Sequence, residues 1–468
     1  MRAQTVADPV TSSSTSQVPQ DNQLSPADQS MFCTLRAMNR DAVVQCVWLY
    51  EHPVDMNALG RFHHNLGYGL LGRRIERSPI PFARDRWVRD RWPAPLHIDE
   101  SARPRAELGD WIDERARLEV DPEHGPGWHL AAVPLTDGTT VVSLVASHCL
   151  IDGLGVVRAI ADAAAGHRRE LGYPPPCSRT RLKALRQDAG RTIQDVPDAA
   201  RAFRAAVRLS RQRRRAPSER ATPKQSNKSD HARPDERVAV PAVVIHIDAA
   251  DWDERARALG GTSHHLAAGL AAKLGERLGR RRAGDGAVSL QVPLSDRTEQ
   301  DTRANTLSFV SVGVDPTGVT ADLTDTRAAI RKTFQTLREN PAQASPTLPL
   351  APLVPFIPKR VLRQAAEAEF AYDDLPVASS SLGELADMAG CPDGTPAEYV
   401  FGRGVIQRVL RHDLEHANGE LALWFLRIGG KMCVTVGAYQ PGGATTKPML
   451  RELVTRTLGE FGLRGVIE

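Results

Sequence analysis

Runs of apolar residues, some alternating with polar ones, predict strands in both halves of the chain. Two of these runs, 128–135 and 140–148, are separated by a segment containing Asp137-Gly138, which is a strong signal for a β-hairpin. Gly429-Gly430 separates a second pair in the same way. The predicted strands are 42–50, 128–135, 140–148, 243–247, 288–292, 422–426 and 431–439, with another that follows 303–310 and ends at Val314.

Segments with the periodicity of helices lie between these strands. The first predicted helix begins after Ser25, a good N-cap residue, with Pro26 in its first turn. A helix also follows Gly153 directly. The other predicted helices are 56–74, 179–195, 198–214, 251–259, 262–278 and 447–461. Strands and helices therefore mix along the whole chain, which predicts an α/β (α+β) fold.

The pattern changes along the 468 residues in a way that predicts two lobes joined by a linker. Residues 1–22 are rich in Ser, Thr, Gln and Pro and are predicted to be a disordered tail. The N-terminal lobe is assigned to 23–173 and the C-terminal lobe to 238–468. Between them, 174–237 reads as a basic linker, partly helical and partly disordered.

Composition narrows the class of protein. Apolar content of 41% and charged content of 25% are those of a soluble globular protein, and a net charge of +4 does not favour nucleic-acid binding. Six scattered cysteines without a C-x-x-C pair argue against a zinc site or a disulfide framework and suggest a reducing cytoplasm. No run of 18 apolar residues and no signal peptide are visible.

One stretch carries candidate chemistry, Ser143-Leu-Val-Ala-Ser-His148-Cys-Leu-Ile-Asp152-Gly153. In a strand, side chains alternate, so Val142, Leu144, Ala146 and His148 share one face. A histidine at the exit of a buried strand is held rigidly and can open into a cavity, as a general base requires. The alternative is a core histidine followed by Asp152 as a simple helix N-cap.

This His-x-x-x-Asp-Gly pattern resembles the signature of acyltransferases built like chloramphenicol acetyltransferase. That superfamily includes nonribosomal-peptide condensation domains, polyketide-associated acyltransferases and wax ester synthase/diacylglycerol acyltransferases. Many members carry two consecutive histidines, and Ser147 stands in the first place here. The second histidine is the catalytic one in the superfamily, so the resemblance assigns that role to His148.

Two further segments resemble the same superfamily. Pro293-Leu-Ser-Asp-Arg297, followed by Asn305-Thr306-Leu307, is similar to a block whose arginine forms a salt bridge with the motif aspartate. The resemblance therefore pairs Asp152 with Arg297, to shape the turn and not to transfer protons. Ser380-Ser381-Leu382-Gly383 is similar to a Ser-Asn-Leu-Gly segment near the acyl path, with Ser381 in place of the asparagine.

The resemblance implies two chloramphenicol-acetyltransferase-like lobes with an active-site cleft or tunnel between them. An acyl thioester donor, either acyl-coenzyme A or an acyl carrier protein with its phosphopantetheinyl arm, would meet a hydroxyl or amine acceptor at His148. No metal and no cofactor beyond these substrates is expected. The candidates for oxyanion or substrate contacts are Gly153, Asn305, Ser308, Ser311 and Ser381.

Three functions remain open from the sequence. The favoured one is a cytoplasmic acyltransferase of lipid or secondary-metabolite biosynthesis. A narrower one is a wax ester synthase/diacylglycerol acyltransferase in peripheral membrane contact through the basic linker and the proline-rich segment 348–357. The third is a non-catalytic condensation-like module that binds a carrier protein. Cys149 raises a rival mechanism through an acyl-cysteine, although a persisting strand would point it away from His148.

Overall fold

The computed structural model describes residues 22–90, 94–215, 236–340, 347–370, 375–442 and 445–468. The predicted tail, apart from its last residue, and most of the polar tract that ends the predicted linker lie outside these ranges. The helices are α1 Pro26–Met38, α2 Met56–Leu66, α3 Leu108–Arg117, α4 Gly153–Ala164, α5 Arg181–Arg215, α6 Ala249–Ala258, α7 Ser263–Arg277, α8 Thr324–Glu339, α9 Lys359–Phe370, α10 Arg411–His416 and α11 Lys447–Glu460. The strands are β1 Asp41–Tyr50, β2 Arg73–Glu76, β3 Arg86–Arg89, β4 His97–Ile98, β5 Trp128–Pro134, β6 Thr140–Ser147, β7 Ala242–Asp248, β8 Val288–Ser295, β9 Leu307–Val314, β10 Val377–Glu384, β11 Tyr399–Gln407, β12 Glu420–Ile428, β13 Lys431–Tyr439 and β14 Val466–Ile467.

Two large sheets organise these elements into two lobes. One has five strands in the order β11-β1-β6-β5-β4, and the other has seven in the order β14-β7-β13-β12-β10-β8-β9. The five-stranded sheet takes its edge strand β11 from residues 399–407, so the C-terminal part of the chain crosses over to complete it. The predicted α/β fold with two lobes is confirmed.

Apolar packing joins the lobes where this crossover occurs. Each sheet has its own core, one containing Trp48 and Trp111 and the other Trp252 and Phe461. Leu426 and Cys433 belong to the seven-stranded sheet, yet they pack in the core of the five-stranded one. One face of the larger sheet is therefore turned toward the other lobe.

Local signals located several elements correctly. Both predicted hairpins form, β5 with β6 and β12 with β13. The Ser25 hydroxyl caps α1 by accepting a hydrogen bond from the Asp28 amide at 3.1 Å, as predicted.

Three predicted helices differ from the structure. The helix expected over 56–74 ends at Leu66, because the glycines that follow support a 3₁₀ turn, with Gly69 at a φ of +67°, and then strand β2. The two basic segments expected at 179–195 and 198–214 form the single helix α5, which continues through Pro197. Within the described ranges no helix is long and apolar enough to cross a membrane.

Candidate active site

The candidate active site begins where β6, a central strand of the five-stranded sheet, ends. Strand β6 lies between β1 and β5, and Val142, Leu144 and Ala146 pack on its core face as their alternation predicts. Val145 packs on the opposite face with Val43. The strand ends at Ser147, so His148 is the first residue of the turn that leads into α4.

His148 is held through its backbone while its ring remains without a hydrogen-bond partner. Its amide donates to the Ala42 carbonyl at 2.8 Å, and its carbonyl accepts from the Asn305 side-chain amide at 3.0 Å. The residue is half-buried, and its Nδ1 is buried with no partner. Nε2 also has no partner among the described residues but is not enclosed in this way. An unpartnered ring nitrogen on a fixed backbone suits a proton acceptor that awaits its substrate.

Asp152 and Arg297 form a bidentate ion pair between the two halves of the chain. Arg297 Nε donates to Oδ1 at 3.0 Å and Nη2 donates to Oδ2 at 2.7 Å. The Asp152 side chain is fully buried and that of Arg297 is 6% exposed. Two parallel bonds in a dry environment fix orientation as well as charge, so this pair sets the shape of the turn.

Further donors complete the coordination of Asp152. Oδ1 also accepts from the Gly155 amide at 2.8 Å, which makes Asp152 the N-cap of α4. Oδ2 accepts from the amide and the hydroxyl of Thr306, both at 3.1 Å. The N-cap alternative from the sequence and the salt bridge are thus both present, and they share Oδ1 of one carboxylate.

Two glycines allow close packing around the motif turn. A Cβ on Gly155 would lie 2.9 Å from Ile151 Cγ1 and 3.1 Å from Asp152 Oδ1, so a side chain there would press on the ion pair. A Cβ on Gly153 would lie 2.9 Å from Leu382 Cδ2, so the turn touches strand β10 of the other lobe. The Gly153 amide opens α4 and donates to no described residue.

Two buried charged residues support the site, Arg73 at the motif turn and Asp28 at the loop 304–305. Arg73 donates to the Leu150 carbonyl at 2.8 Å and to the Tyr173 hydroxyl at 3.2 Å, and it also bonds the Thr302 carbonyl. Burial lowers the pKa of its guanidinium. Asp28 on α1 accepts from the amides of Ala304 and Asn305 at 3.1 and 2.8 Å.

The remaining predicted site residues fall in different places. Asn305 contacts the His148 backbone, so it positions the turn. Ser308 lies on the core face of β9 together with Val310, and its hydroxyl donates to the Leu294 carbonyl at 3.5 Å. Ser381 is exposed and accepts from the Gly383 amide at 3.4 Å. Leu382, its neighbour, is the residue that contacts the motif turn.

Ser311 faces the other way from Ser308 because side chains alternate along β9. It pairs with Gln291 on β8, which pairs with Ala378 on β10. Leu426 lies on the same face of the sheet and packs into the first lobe. Of these serines, Ser311 therefore lies on the sheet face that carries Leu426, at the edge strand, where it is exposed.

Cys149 is unsuited to nucleophilic chemistry. It is 3% exposed, and burial raises the pKa of its thiol to about 12. The thiolate, which is the reactive form, is therefore scarce at neutral pH. Among the described residues, no three His, Cys, Asp or Glu side chains cluster in a way that could hold a metal ion.

A separate cavity of about 210 Å³ lies on the Tyr173 side of the turn. Gly67, Gly69, Arg89 and Arg169 are among its lining residues, whereas His148 is not. The cavity is thus distinct from the space next to His148.

Sequence reasoning missed four residues that shape the site, Asp28, Arg73, Gly155 and Thr306. Thr306 could have been predicted, because it belongs to the Asn-Thr-Leu block that was quoted together with Arg297. Gly155 lies two residues beyond the motif. Asp28 and Arg73 carry no local signal, since their partners are mostly backbone groups elsewhere in the chain.

Comparison by sequence finds no matching family model and no matching curated protein. Comparison of structures does find similar folds. The first condensation domain of the calcium-dependent antibiotic synthetase aligns with a TM-score of 0.56 and 14% identity over 94% of this chain and 96% of that one. The wax ester synthase/diacylglycerol acyltransferase from Marinobacter aquaeolei VT8 gives 0.56 and 14% over 94% and 98%. Polyketide synthase associated protein 5 from Mycobacterium tuberculosis gives 0.52 and 14% over 95% and 99%.

These alignments span nearly the whole of each chain, and they establish the class of fold. The protein has the two-lobed fold shared by condensation domains and the acyltransferases named above, as the motif resemblance implied.

Proposed function

We propose that this protein is an acyltransferase that moves an acyl group from a thioester to a hydroxyl or amine acceptor, with His148 as the general base. The observation that carries the proposal is the state of His148. Its ring has no partner among the described residues, while the turn beneath it is pinned by Asn305, Asp152 and Arg297. A fixed backbone below an uncommitted imidazole is what proton abstraction from a bound acceptor requires.

The reaction then balances with groups of this chain and two substrates. Neutral His148 accepts the proton of the acceptor hydroxyl or amine as its oxygen or nitrogen bonds to the thioester carbonyl carbon. The tetrahedral oxyanion that forms needs hydrogen-bond donors. We propose the Gly153 amide, at the positive end of α4, and the Ser311 hydroxyl as these donors. The carbon–sulfur bond breaks, and the imidazolium returns the proton to the leaving thiolate.

The donor is proposed to be acyl-coenzyme A or an acyl carrier protein, in the cytoplasm and in lipid or secondary-metabolite biosynthesis. Histidine supplies both proton transfers, so the scheme uses no metal and no cofactor. Both kinds of biosynthesis are represented among proteins of similar fold. One is a wax ester synthase and another is a condensation domain of an antibiotic synthetase.

The test is acceptor-dependent release of free thiol. The purified protein is incubated with acyl-coenzyme A donors of different chain length, or with acylated carrier protein, alongside pooled alcohols and amines. We expect thiol release that disappears in His148→Ala and persists in Cys149→Ser. His167→Ala, which alters an exposed histidine with a side chain 75% accessible, serves as the matched control.

Other outcomes separate the alternatives. Preference for long-chain alcohols would narrow the assignment to wax ester synthesis. Carrier-protein binding without turnover of any donor would contradict the proposal and favour a non-catalytic binding module. Loss of turnover in Cys149→Ser with retention in His148→Ala would replace the general-base scheme with an acyl-cysteine.

A further inference from the structure

Helix α5 packs against the protein through its small and polar residues. Ala184, Asp188 and Ala202 are buried and recur at spacings that place them on one helix face. Asp188 pairs with Arg179 at 2.6 Å, and Asp195 pairs with Arg84 at 2.7 Å. Arg84, together with Ser78, whose hydroxyl donates to Asp188 at 2.8 Å, therefore attaches this face to the body of the molecule.

The opposite face of α5 is apolar and exposed. Its side chains are separated by 3, 8, 3 and 7 residues, the spacing of one helical stripe. The members of this stripe, with their exposed fractions, are Leu182 72%, Leu185 40%, Ile193 71%, Val196 54% and Phe203 62%. From Leu182 to Phe203 the stripe runs for about 30 Å at the usual helical rise. We call it the α5 stripe.

Basic residues flank the stripe, and the acidic residues of the helix lie elsewhere. Residues 181–215 contain eleven Lys or Arg and three Asp. Asp188 and Asp195 are bonded to the body of the protein, and Asp198 pairs with Arg201 in the same helix. Five basic residues on the exposed side form no ion pair with any described carboxylate. They are Lys183, Arg186, Arg204, Arg208 and Arg211.

More apolar surface lies next to the helix. The 3₁₀ segment Leu348–Phe356 packs against α5, and its Phe356 ring stacks on Phe82 at 5.9 Å between centroids. These two rings are 45% and 47% exposed. Both border a small cavity shared with Thr192 and Asp195 of α5.

We propose that the α5 stripe and its basic flank form a peripheral docking surface for an anionic lipid bilayer. A long helix with one apolar face and a basic, acid-free margin lies in the plane of a membrane interface, with its apolar side chains among the acyl chains and its cations at the phosphates. Arg204 and Arg208 would meet the headgroups while Ile193 and Phe203 enter the interface.

Other occupants fit this surface less well. A second copy of the helix would place one basic flank against another, and like charges repel. Residues 1–21 and 216–235 contain no three consecutive apolar residues with which to cover the stripe. A bilayer needs only an exposed apolar line and positive charge, and α5 supplies both.

The test is flotation of the full-length protein with vesicles. One set contains phosphatidylcholine with about 30% phosphatidylglycerol, and the other contains phosphatidylcholine alone. We expect binding to the anionic set, weaker binding to the neutral set, and release as salt rises from about 50 to 500 mM.

Matched variants assign the binding to this surface. Ile193→Ser/Phe203→Ser should reduce partitioning at least about tenfold, because two apolar side chains no longer enter the interface. Arg204→Gln/Arg208→Gln should reduce it at least about fivefold on anionic vesicles. Met449→Ser and Arg451→Gln/Arg456→Gln, which change exposed residues of α11, should leave it unchanged.

Several results would overturn the proposal. The first is failure of the protein to float with either set of vesicles, and the second is a loss of vesicle binding in the α11 control variants as large as that in the stripe variants. A dimer in sedimentation that dissociates when the stripe is changed would also overturn it. Binding to an acidic carrier protein that depends on the stripe, with vesicles ignored, would assign the surface to a protein partner instead. Thiol release from soluble donors is measured in parallel, so failure here is distinguishable from failure of the acyltransferase proposal.

Discussion

Asp152 and Asp28 are two buried carboxylates that hold the same loop in different ways. Their exposed fractions are 0% and 1%, and both accept hydrogen bonds from residues 304–306. Asp152 has a guanidinium in bidentate contact, whereas Asp28 meets backbone amides and the Asn305 side chain. The buried Arg73 lies near enough to interact with Asp28 electrostatically but forms no ion pair with it among the described residues.

The difference shows two solutions to burying a negative charge. An arginine neutralises the carboxylate but is itself costly to bury, so each partner depends on the other. Backbone amides satisfy the oxygens without adding a second buried charge. Asp152, beside the proposed base, therefore belongs to a mutually dependent pair, while Asp28 joins helix α1 to the loop.

The largest expected effect comes from breaking the pair. Asp152→Ala leaves Arg297 buried without its carboxylate and should lower the free energy of unfolding by about 3–5 kcal/mol. Urea denaturation measures this change. In Asp152→Ala/Arg297→Met the orphaned charge is gone, so the double variant should lose less than the sum of the single changes. A loss below about 1 kcal/mol in Asp152→Ala would contradict the mutual dependence.

A smaller effect is expected at the other carboxylate. Asp28→Asn replaces one acceptor oxygen by a donor facing backbone amides, which should cost about 1–3 kcal/mol. Thiol release at saturating substrate should persist wherever the variant is folded, because Asp28 acts only through the loop. Asp325→Asn, an exposed aspartate in the first turn of α8, is the matched control. Equal destabilisation by Asp28→Asn and Asp152→Ala would remove the distinction between the two carboxylates.

The smallest effect concerns the Thr306 hydroxyl, which bonds both Asp152 at 3.1 Å and Ser295 at 2.7 Å. Thr306→Val keeps the shape of the side chain and the amide bond to Asp152 but removes both hydroxyl bonds, and the exposed Ser295 can bond water instead. We expect a loss of about 0.5–1.5 kcal/mol in unfolding free energy, measured by the urea midpoint at constant slope. Thr455→Val, whose hydroxyl bonds a carbonyl on the exposed surface of α11, should change stability less. A larger loss than in Asp28→Asn would mean that the hydroxyl, and not the guanidinium, dominates the cluster.

Much of the fold was predictable because its signals are local. Asp137-Gly138 placed the hairpin, alternation placed the faces of β6, and Ser25 placed the start of α1. The crossover of β11 into the first sheet was not predictable in this way, because its partner β1 lies more than 300 residues away. The end of α2 at Leu66 was missed because apolar periodicity continued through glycines that favour a turn.

The candidate site likewise contains features that the sequence predicted and features that only the structure shows. The motif resemblance named His148, Asp152 and Arg297, and the structure places the last two in contact. Ser308 and Ser311 were also named as oxyanion candidates without being distinguished, and only the pairing of β9 in the sheet shows which of them shares a face with Leu426. Ser381 was named from the same kind of resemblance, while the contact with the turn is made by Leu382.

The sequence by itself determined which residues can share a face, because helix and strand geometry fix side-chain direction from local spacing alone. It determined the histidine at the end of β6 in this sense, whereas the stripe of α5 emerges only when 181–215 forms a single helix. Tertiary structure decided which face is covered. Arg84 and Ser78 bond the polar side of α5 and leave its apolar side exposed, and Asp28 meets amides more than 270 residues away. Periodicity is a property of neighbours along the chain, whereas burial depends on what the rest of the chain brings against each face.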